Sequence, residues 1–171
     1  MIEIVKNKSN IGEEEINNVI TRVKALIITS DNRILLGHSF CEYQFPGGHV
    51  ENNEELLPAL KRELKEETGL VFDTDNLEAF AVLKKYFKDY PSEKVNTKLI
   101  IYYYVIKDDR VPILKNTNYT FEELEGNFSL RYVPLDIVKC VINDNINACG
   151  DSEGIAKEML EVLDYYFNLN V

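Results

Sequence analysis

GHVENNEELLPALKRELKEETGL, running from Gly48 to Leu70, is the stretch on which the reading of this chain turns. Glu63, Glu66 and Glu67 stand at i, i+3 and i+4, so on a helix the three carboxylates share one face. Like charges at that spacing repel. Leu57, Leu60 and Leu64 form a separate apolar stripe, about a quarter turn away, that anchors the helix to a core. The helix is thus held along one edge and offers hard oxygen ligands along the next, the donor type that Mg²⁺ or Mn²⁺ takes. Gly47 and Gly48 let the preceding loop approach a ligand closely. Asn53 or Glu54 is placed to cap the helix, and Gly69 to end it in the left-handed conformation. Pro58 is awkward. It removes a first-turn hydrogen bond or delays the start of the regular helix.

The spacing reads G-x5-E-x7-R-E-L-x-E-E-x-G-L, filled by Gly48, Glu54, Arg62, Glu63, Leu64, Glu66, Glu67, Gly69 and Leu70. This resembles the signature box of the MutT/Nudix hydrolase family, with every fixed position occupied. The run Tyr43-Gln44-Phe45-Pro46-Gly47-Gly48 is similar to the segment that leads a strand into that box. The resemblance covers residues 43–70. One departure is visible: Asn53 stands where a second glycine commonly precedes the box glutamate. Asn tolerates the left-handed region, so the turn is expected to form.

The resemblance implies an α/β/α sandwich with a mixed β-sheet, in which the box forms a loop-helix-loop. It implies that Glu63, Glu66, Glu67 and the backbone carbonyl of Gly48 are metal ligands, for Mg²⁺ or Mn²⁺. Arg62 and Glu54 then form the pair that orients loop and glutamates, and the catalytic set is Glu54, Arg62, Glu66 and Glu67. The general base stays open among Glu54, Glu66 and Glu67 in the box and Glu122, Glu123 and Glu125 outside it. The implied activity is Mg²⁺-dependent hydrolysis of a diphosphate linkage in a nucleoside diphosphate joined to another moiety. The alternative is a sensing or scaffolding domain that binds a nucleotide without turnover. Such domains commonly lose box glutamates, and this chain keeps them all.

Elsewhere the sequence sets bounds. At 171 residues, with 45% hydrophobic and 28% charged residues, the chain is expected to form one domain over 1–171. A net charge of −10 argues against duplex nucleic acid as a partner. It leaves a small nucleotide derivative open, because a divalent metal bridges acidic protein and anionic phosphate. A homodimer is also left open. Cys41, Cys140 and Cys149 are odd in number and show no CxxC spacing, so neither a disulfide framework nor a zinc site is expected, and a cytoplasmic setting follows. No apolar run is long enough to span a membrane, and the first residues carry no signal-peptide pattern.

Along the chain, Ile2, Ile4 and Val5 mark a short strand, and residues 1–19 otherwise have no evident role. Ile20–Thr29 reads as a buried strand and Arg33–Gly37 as its hairpin partner across Ser30-Asp31-Asn32. Ala79–Phe87 and Lys98–Ile106 are strong strands, and Asn127–Val133 is the last. Residues 108–126 are charged and irregular, and long connections of this kind are often functional. A short helix is expected from Pro134 to Val141, a loop over Asn143–Gly150, and an amphipathic helix over Ser152–Phe167 with Ile155, Met159, Val162 and Leu163 inward. Tyr43, Phe45, Tyr86 and Tyr132 are candidates to stack on a base. His49 lies in the box loop, within reach of a phosphate.

Overall fold

The computed structural model describes residues 1–151 and 154–169. Seven strands form one sheet in the order β1-β5-β6-β2-β3-β4, with β7 on the free edge of β3. The strands are β1 Ile2–Lys6, β2 Asn18–Ile28, β3 Arg33–Ser39, β4 Glu42–Gln44, β5 Ala81–Phe87, β6 Thr97–Lys107 and β7 Ser129–Pro134. β1 with β5 and β2 with β6 are parallel, and the other pairings are antiparallel. The sheet is mixed, as expected. The first residues now have a role, because β1 extends the sheet in register with β5, Ile2 opposite Ala81.

β2 shows why helices lie on both faces. Side chains alternate along a strand. Val23, Ala25 and Ile27 join one buried cluster, and Leu26 and Ile28 join the other. Helix α1, Leu56–Thr68, covers the first face through Ala59, Leu60 and Leu64, all fully buried. Helices α3, Val138–Cys149, and α4, Ile155–Leu169, cover the second. From α4, Met159, Val162 and Leu163 are buried there, with Ile155 partly so. Between them lies the short helix α2, Phe121–Glu125.

Four local expectations are revised. Glu55, rather than Asn53 or Glu54, is the N-cap of α1, and no side chain caps it. Pro58 is third in the helix, where a backbone N–H lacks an intrahelical partner in any case, so it fits without loss. Helix α3 does not stop at Val141. Its asparagines favour turns, but Val138, Ile142 and Ile146 recur every four residues against the core, and packing overrides propensity. Residues 108–126 are not wholly irregular. They hold a single 3-10 turn, Leu114–Asn116, and α2, which opens on a Thr120–Glu123 capping box. The expected start of the last helix at Ser152 lies outside the described residues.

The 108–126 segment is strapped to the end of α1. Ile113 N–H donates to the Thr68 carbonyl at 2.8 Å, and Asn118 N–H to the Glu66 carbonyl at 2.9 Å. These carbonyls belong to the last turn, which has no helical partners of its own. The strap therefore positions α2 beside the carboxylate face. Seating of α1 depends on its leucines. Leu64→Ala is expected to lower stability by about 2–5 kcal/mol, measured by urea unfolding, because a buried methyl cluster is replaced by a cavity. Glu66→Gln should change it by less than about 0.5 kcal/mol, since it removes only a charge from a partly exposed helix face. Equal losses from the two would make the glutamates structural.

Candidate active site

A cavity of about 410 Å³ opens at the junction of β2, β4, α1 and α2. On one side it is lined by Gly47, Gly48, His49, Glu63 and Glu67, and on another by Glu122, Glu123 and Thr120. Arg22, Lys24 and Gln44 also line it, and Phe40 and Tyr43 come from the β3–β4 hairpin. Its size is in the usual range for small-ligand pockets, roughly 300–1,000 Å³.

Strand–loop geometry brings the glycines against the helix. Gly47 has φ +122°, and a Cβ there would lie 2.2 Å from the Val23 carbonyl oxygen, so no other residue fits. A Cβ at Gly48 would lie 2.3 Å from a Glu63 carboxylate oxygen. A side chain there would displace the Glu63 carboxylate from its place against the loop. The Gly48 carbonyl accepts from Val23 N–H at 3.0 Å and keeps a second lone pair. Asn53 takes φ 65°, the left-handed conformation expected for it.

Arg62 organises the rim. Its guanidinium grips Glu54 with two bonds, 2.9 Å and 2.8 Å, and donates to the His49 carbonyl at 3.0 Å. It also reaches Glu63 at 2.8 Å and Glu66 at 3.3 Å. It is therefore more than an i,i+4 partner of Glu66. The Glu54 carboxyl is held below its ordinary range chiefly by the Arg62 hydrogen bonds. Burial pushes Glu63 up, with Arg62 opposing. His49 is pressed down by burial, then by Arg22 and Lys24, so it is neutral at pH 7.

Glu67 turns inward. It is 3% exposed, and its carboxylate accepts from Gly47 N–H at 2.8 Å. The Lys24 ammonium donates to the Gly47 carbonyl and, at 3.2 Å, to the Gln44 side chain. Helix and strand thus hold Gly47 from both sides. Burial drives the Glu67 carboxyl up to about 8 against the pull of Lys24 and the Gly47 N–H. Burial works against the Lys24 ammonium as well, and Glu67 opposes it.

A raised acid binds its proton more tightly folded than unfolded. Its contribution is therefore present at low pH and is lost as pH climbs from 4.5 through about 8. Glutamine mimics the protonated acid. In EDTA, Glu67→Gln is expected to raise Tm relative to wild type more at about pH 8.5 than at about pH 5. A pH-independent difference would refute this electrostatic reading.

Solved structures with the same fold include the MutT protein of Bacillus halodurans, 21% identical, TM-score 0.52, covering 70% of this chain and 71% of that one. A MutT protein from Methanosarcina mazei is 17% identical, TM-score 0.54, over 86% and 94%. The Ap4A hydrolase of C. elegans is 16% identical, TM-score 0.54, over 90% and 99%. No curated protein matches the chain in sequence. The NUDIX domain profile matches residues 20–146. The chain belongs to the NUDIX family. Members of that family act on nucleoside diphosphate derivatives and generally use divalent metal ions.

In this NUDIX chain the box residues do not all converge. Glu63, Glu67 and Gly48 line the cavity, while Glu66 stays at the rim beside Arg62. Among the described residues, no three acidic or histidine side chains form a ready-made metal cage. The donor set nonetheless fits a hard divalent ion. Glu63 and Glu66 are carboxylates one turn apart, Glu63 lies against the Gly48 backbone, and Arg62 engages both. Of the outer glutamates, Glu122 and Glu123 line the cavity and Glu125 does not. The Glu123 carboxylate is committed to Thr120 N–H at 2.6 Å.

Among the stacking candidates, Tyr43 lines the cavity, Phe45 is core, Tyr86 bonds Glu13, and Tyr132 lies under Arg33. Phe40, 56% exposed at the mouth, was not foreseen. Neither were Arg22 and Lys24. Two cations at i and i+2 in an otherwise apolar strand were the signal that could have found them.

The cysteine expectation is corrected. Cys41 and Cys149 form a disulfide, and Cys140 is free. The two lie 108 residues apart, a separation that no local spacing reveals. The bond ties the hairpin turn beside Phe40 to the end of α3. The cytoplasmic expectation rested on unpaired cysteines and loses that support. No described helix is long and apolar enough to cross a membrane.

Proposed function

We propose that this chain is a Mg²⁺-dependent hydrolase that cleaves a diphosphate linkage in a nucleoside diphosphate joined to another moiety, with residues 1–171 acting as one domain. The observation that carries the reading is the cavity itself. Box carboxylates form one wall, and Arg22 and Lys24 project from the sheet beside them. A polyphosphate needs both cations along its length and carboxylates to hold a metal. Glu63, Glu66 and the Gly48 carbonyl would hold the ion, with Glu67 behind them. When bound, the ion supplies charge neutralisation at the phosphate and lowers the pKa of water.

The remaining steps belong to the chain. Arg62 fixes Glu54 and the His49 backbone, which sets the loop against the helix. Arg22 makes no ion pair among the described residues, donates from Nε to His49 Nε2 at 3.3 Å, and would offer its remaining N–H groups to a phosphate oxygen. Glu67 faces the cavity from a buried position and is the candidate to take the proton from the attacking water. Tyr43 and Phe40 present aromatic surface at the hairpin end, where a base can lie. The retained carboxylates favour turnover over the sensing alternative. The test is a screen for release of phosphate or nucleoside monophosphate over a panel of nucleotide derivatives with Mg²⁺ and Mn²⁺. Nucleotide binding without release for any of them would favour the sensing domain instead.

A further inference from the structure

The turn between β3 and β4 is made of residues that do not favour it. Ser39 pairs with Glu42, so Phe40 and Cys41 are the two turn residues, at φ 47° and 67°. Two-residue turns with both φ values positive are usually Asn-Gly or Asp-Gly, because a Cβ is crowded there. Contacts outside the turn must therefore hold it. β4 adds little, being three residues long at the end of the sheet. Two ties do the holding. Phe40 N–H donates to the carbonyl of Gly126, the residue that ends α2, at 3.0 Å. The Cys41–Cys149 disulfide fastens the turn to the last residue of α3. Both cysteines are exposed, so a soluble dithiol can reach the bond. Cys149 lies beyond residues 20–146, so the tie reaches outside the part of the chain that the family profile matches.

We propose that the Cys41–Cys149 disulfide is a redox-controlled clamp on the nucleoside end of the cavity: oxidised, it holds Phe40 at the mouth for a base; reduced, it frees the turn and weakens nucleotide binding while leaving the phosphate end alone. The inference rests on the nucleotide reading above and adds a regulation to it. Glu63, Glu67, Arg22 and Lys24 stand on α1 and β2, which the bond does not join. The chemistry is thiol–disulfide exchange with a dithiol. One thiolate of the dithiol attacks a cysteine sulfur, the S–S bond breaks, and the second thiol resolves the mixed disulfide. Two electrons and two protons pass to the chain, leaving Cys41 and Cys149 as thiols and the dithiol as a disulfide. A disulfide oxidant reverses the step.

The test compares air-oxidised and dithiothreitol-reduced protein by isothermal titration calorimetry in Mg²⁺. The probes are the α,β-methylene analogues of ADP, GDP, CDP and UDP, and methylenediphosphonate, which has the two phosphorus groups and no nucleoside. Thiol titration of the unfolded chain should find one thiol before reduction, Cys140, and three after. Reduction is expected to weaken the tightest nucleotide analogue by about tenfold, and methylenediphosphonate by less than about twofold, because only the nucleoside end loses its preorganised surface. Untreated Cys149→Ser should match reduced wild type. Phe40→Ala should bind the nucleotide more weakly when oxidised and show no further response to reduction, since clamp and ring act as one unit. A merely structural disulfide would weaken both kinds of probe alike and keep its effect in Phe40→Ala, and either result overturns the inference. So do three thiols before reduction, or equal nucleotide affinity in the two redox states. If Phe40→Ala does not fold by circular dichroism, the contrast between nucleotide and methylenediphosphonate decides. Nucleotide binding that ignores reduction defeats the clamp alone, whereas no binding of any analogue to oxidised protein defeats the nucleotide reading and the clamp with it.

Discussion

Glu63→Gln and Glu66→Gln are each expected to lower kcat/KM by about 100-fold or more, at roughly 1.4 kcal/mol of barrier per tenfold, while Tm in EDTA stays close to wild type. The expectation follows from position. Glu63 lines the cavity against Gly48, and Glu66 stands one turn further along the same face, partly exposed. Neither packs into the buried cluster that anchors α1, which is the work of Ala59, Leu60 and Leu64. Replacing either carboxylate with an amide keeps the shape and removes a charged donor. Charge neutralisation at the phosphate and activation of water then fail together. Groups that act as one unit lose little more when both are removed, so the double variant should be only slightly worse than the poorer single one. The check is steady-state kinetics on the best substrate of the nucleotide screen, with thermal melts alongside. Near-wild-type turnover in both single variants would sink the catalytic reading of the box.

The box helix and the mixed sheet were legible in sequence because they rest on local periodicity. Leucines at helical spacing, an apolar β2, and Gly69 at the end of α1, with φ 71°, each follow from a few neighbouring residues. What the sequence hid depends on residues far apart. Glu63, Glu66 and Glu67 look alike in the box, yet their surroundings differ. Glu67 is drawn in by the Gly47 N–H, and Glu66 remains beside Arg62. Lys24 lies on β2 and meets the box only because β2 runs beneath the Gly47–Gly48 loop. The second half of α3 was obscured by asparagines whose turn preference is overridden by the burial of Ile142 and the packing of Ile146. Residues 108–126 carry their own capping signal in Thr120 and Glu123, but what fixes their place is two bonds to carbonyls of the last turn of α1.

Glu67→Gln is expected to lower kcat by about 10²–10⁴-fold, the range for loss of a general base, with KM and fold little changed. The candidates outside the box are narrowed by geometry. Glu125 does not line the cavity, and Glu123 spends its carboxylate on the Thr120 N–H. Glu122 lines the cavity from an exposed helix end, whereas Glu67 does so from a buried position. Burial raises Glu67 to about 8, so its base form is gained as pH rises toward that value. A base must be deprotonated to act. Wild-type kcat should therefore climb with pH to a midpoint at or below about 8, because added positive charge at the neighbouring donors draws the midpoint down. Glu67→Gln should flatten that climb, and Glu122→Gln should retain it with a loss of less than about tenfold. The measurement is a kcat–pH profile for wild type and both variants at saturating metal. If Glu122→Gln instead removes the climb and Glu67→Gln keeps it, the base comes from α2. Glu67 would then serve only to hold Gly47 in place.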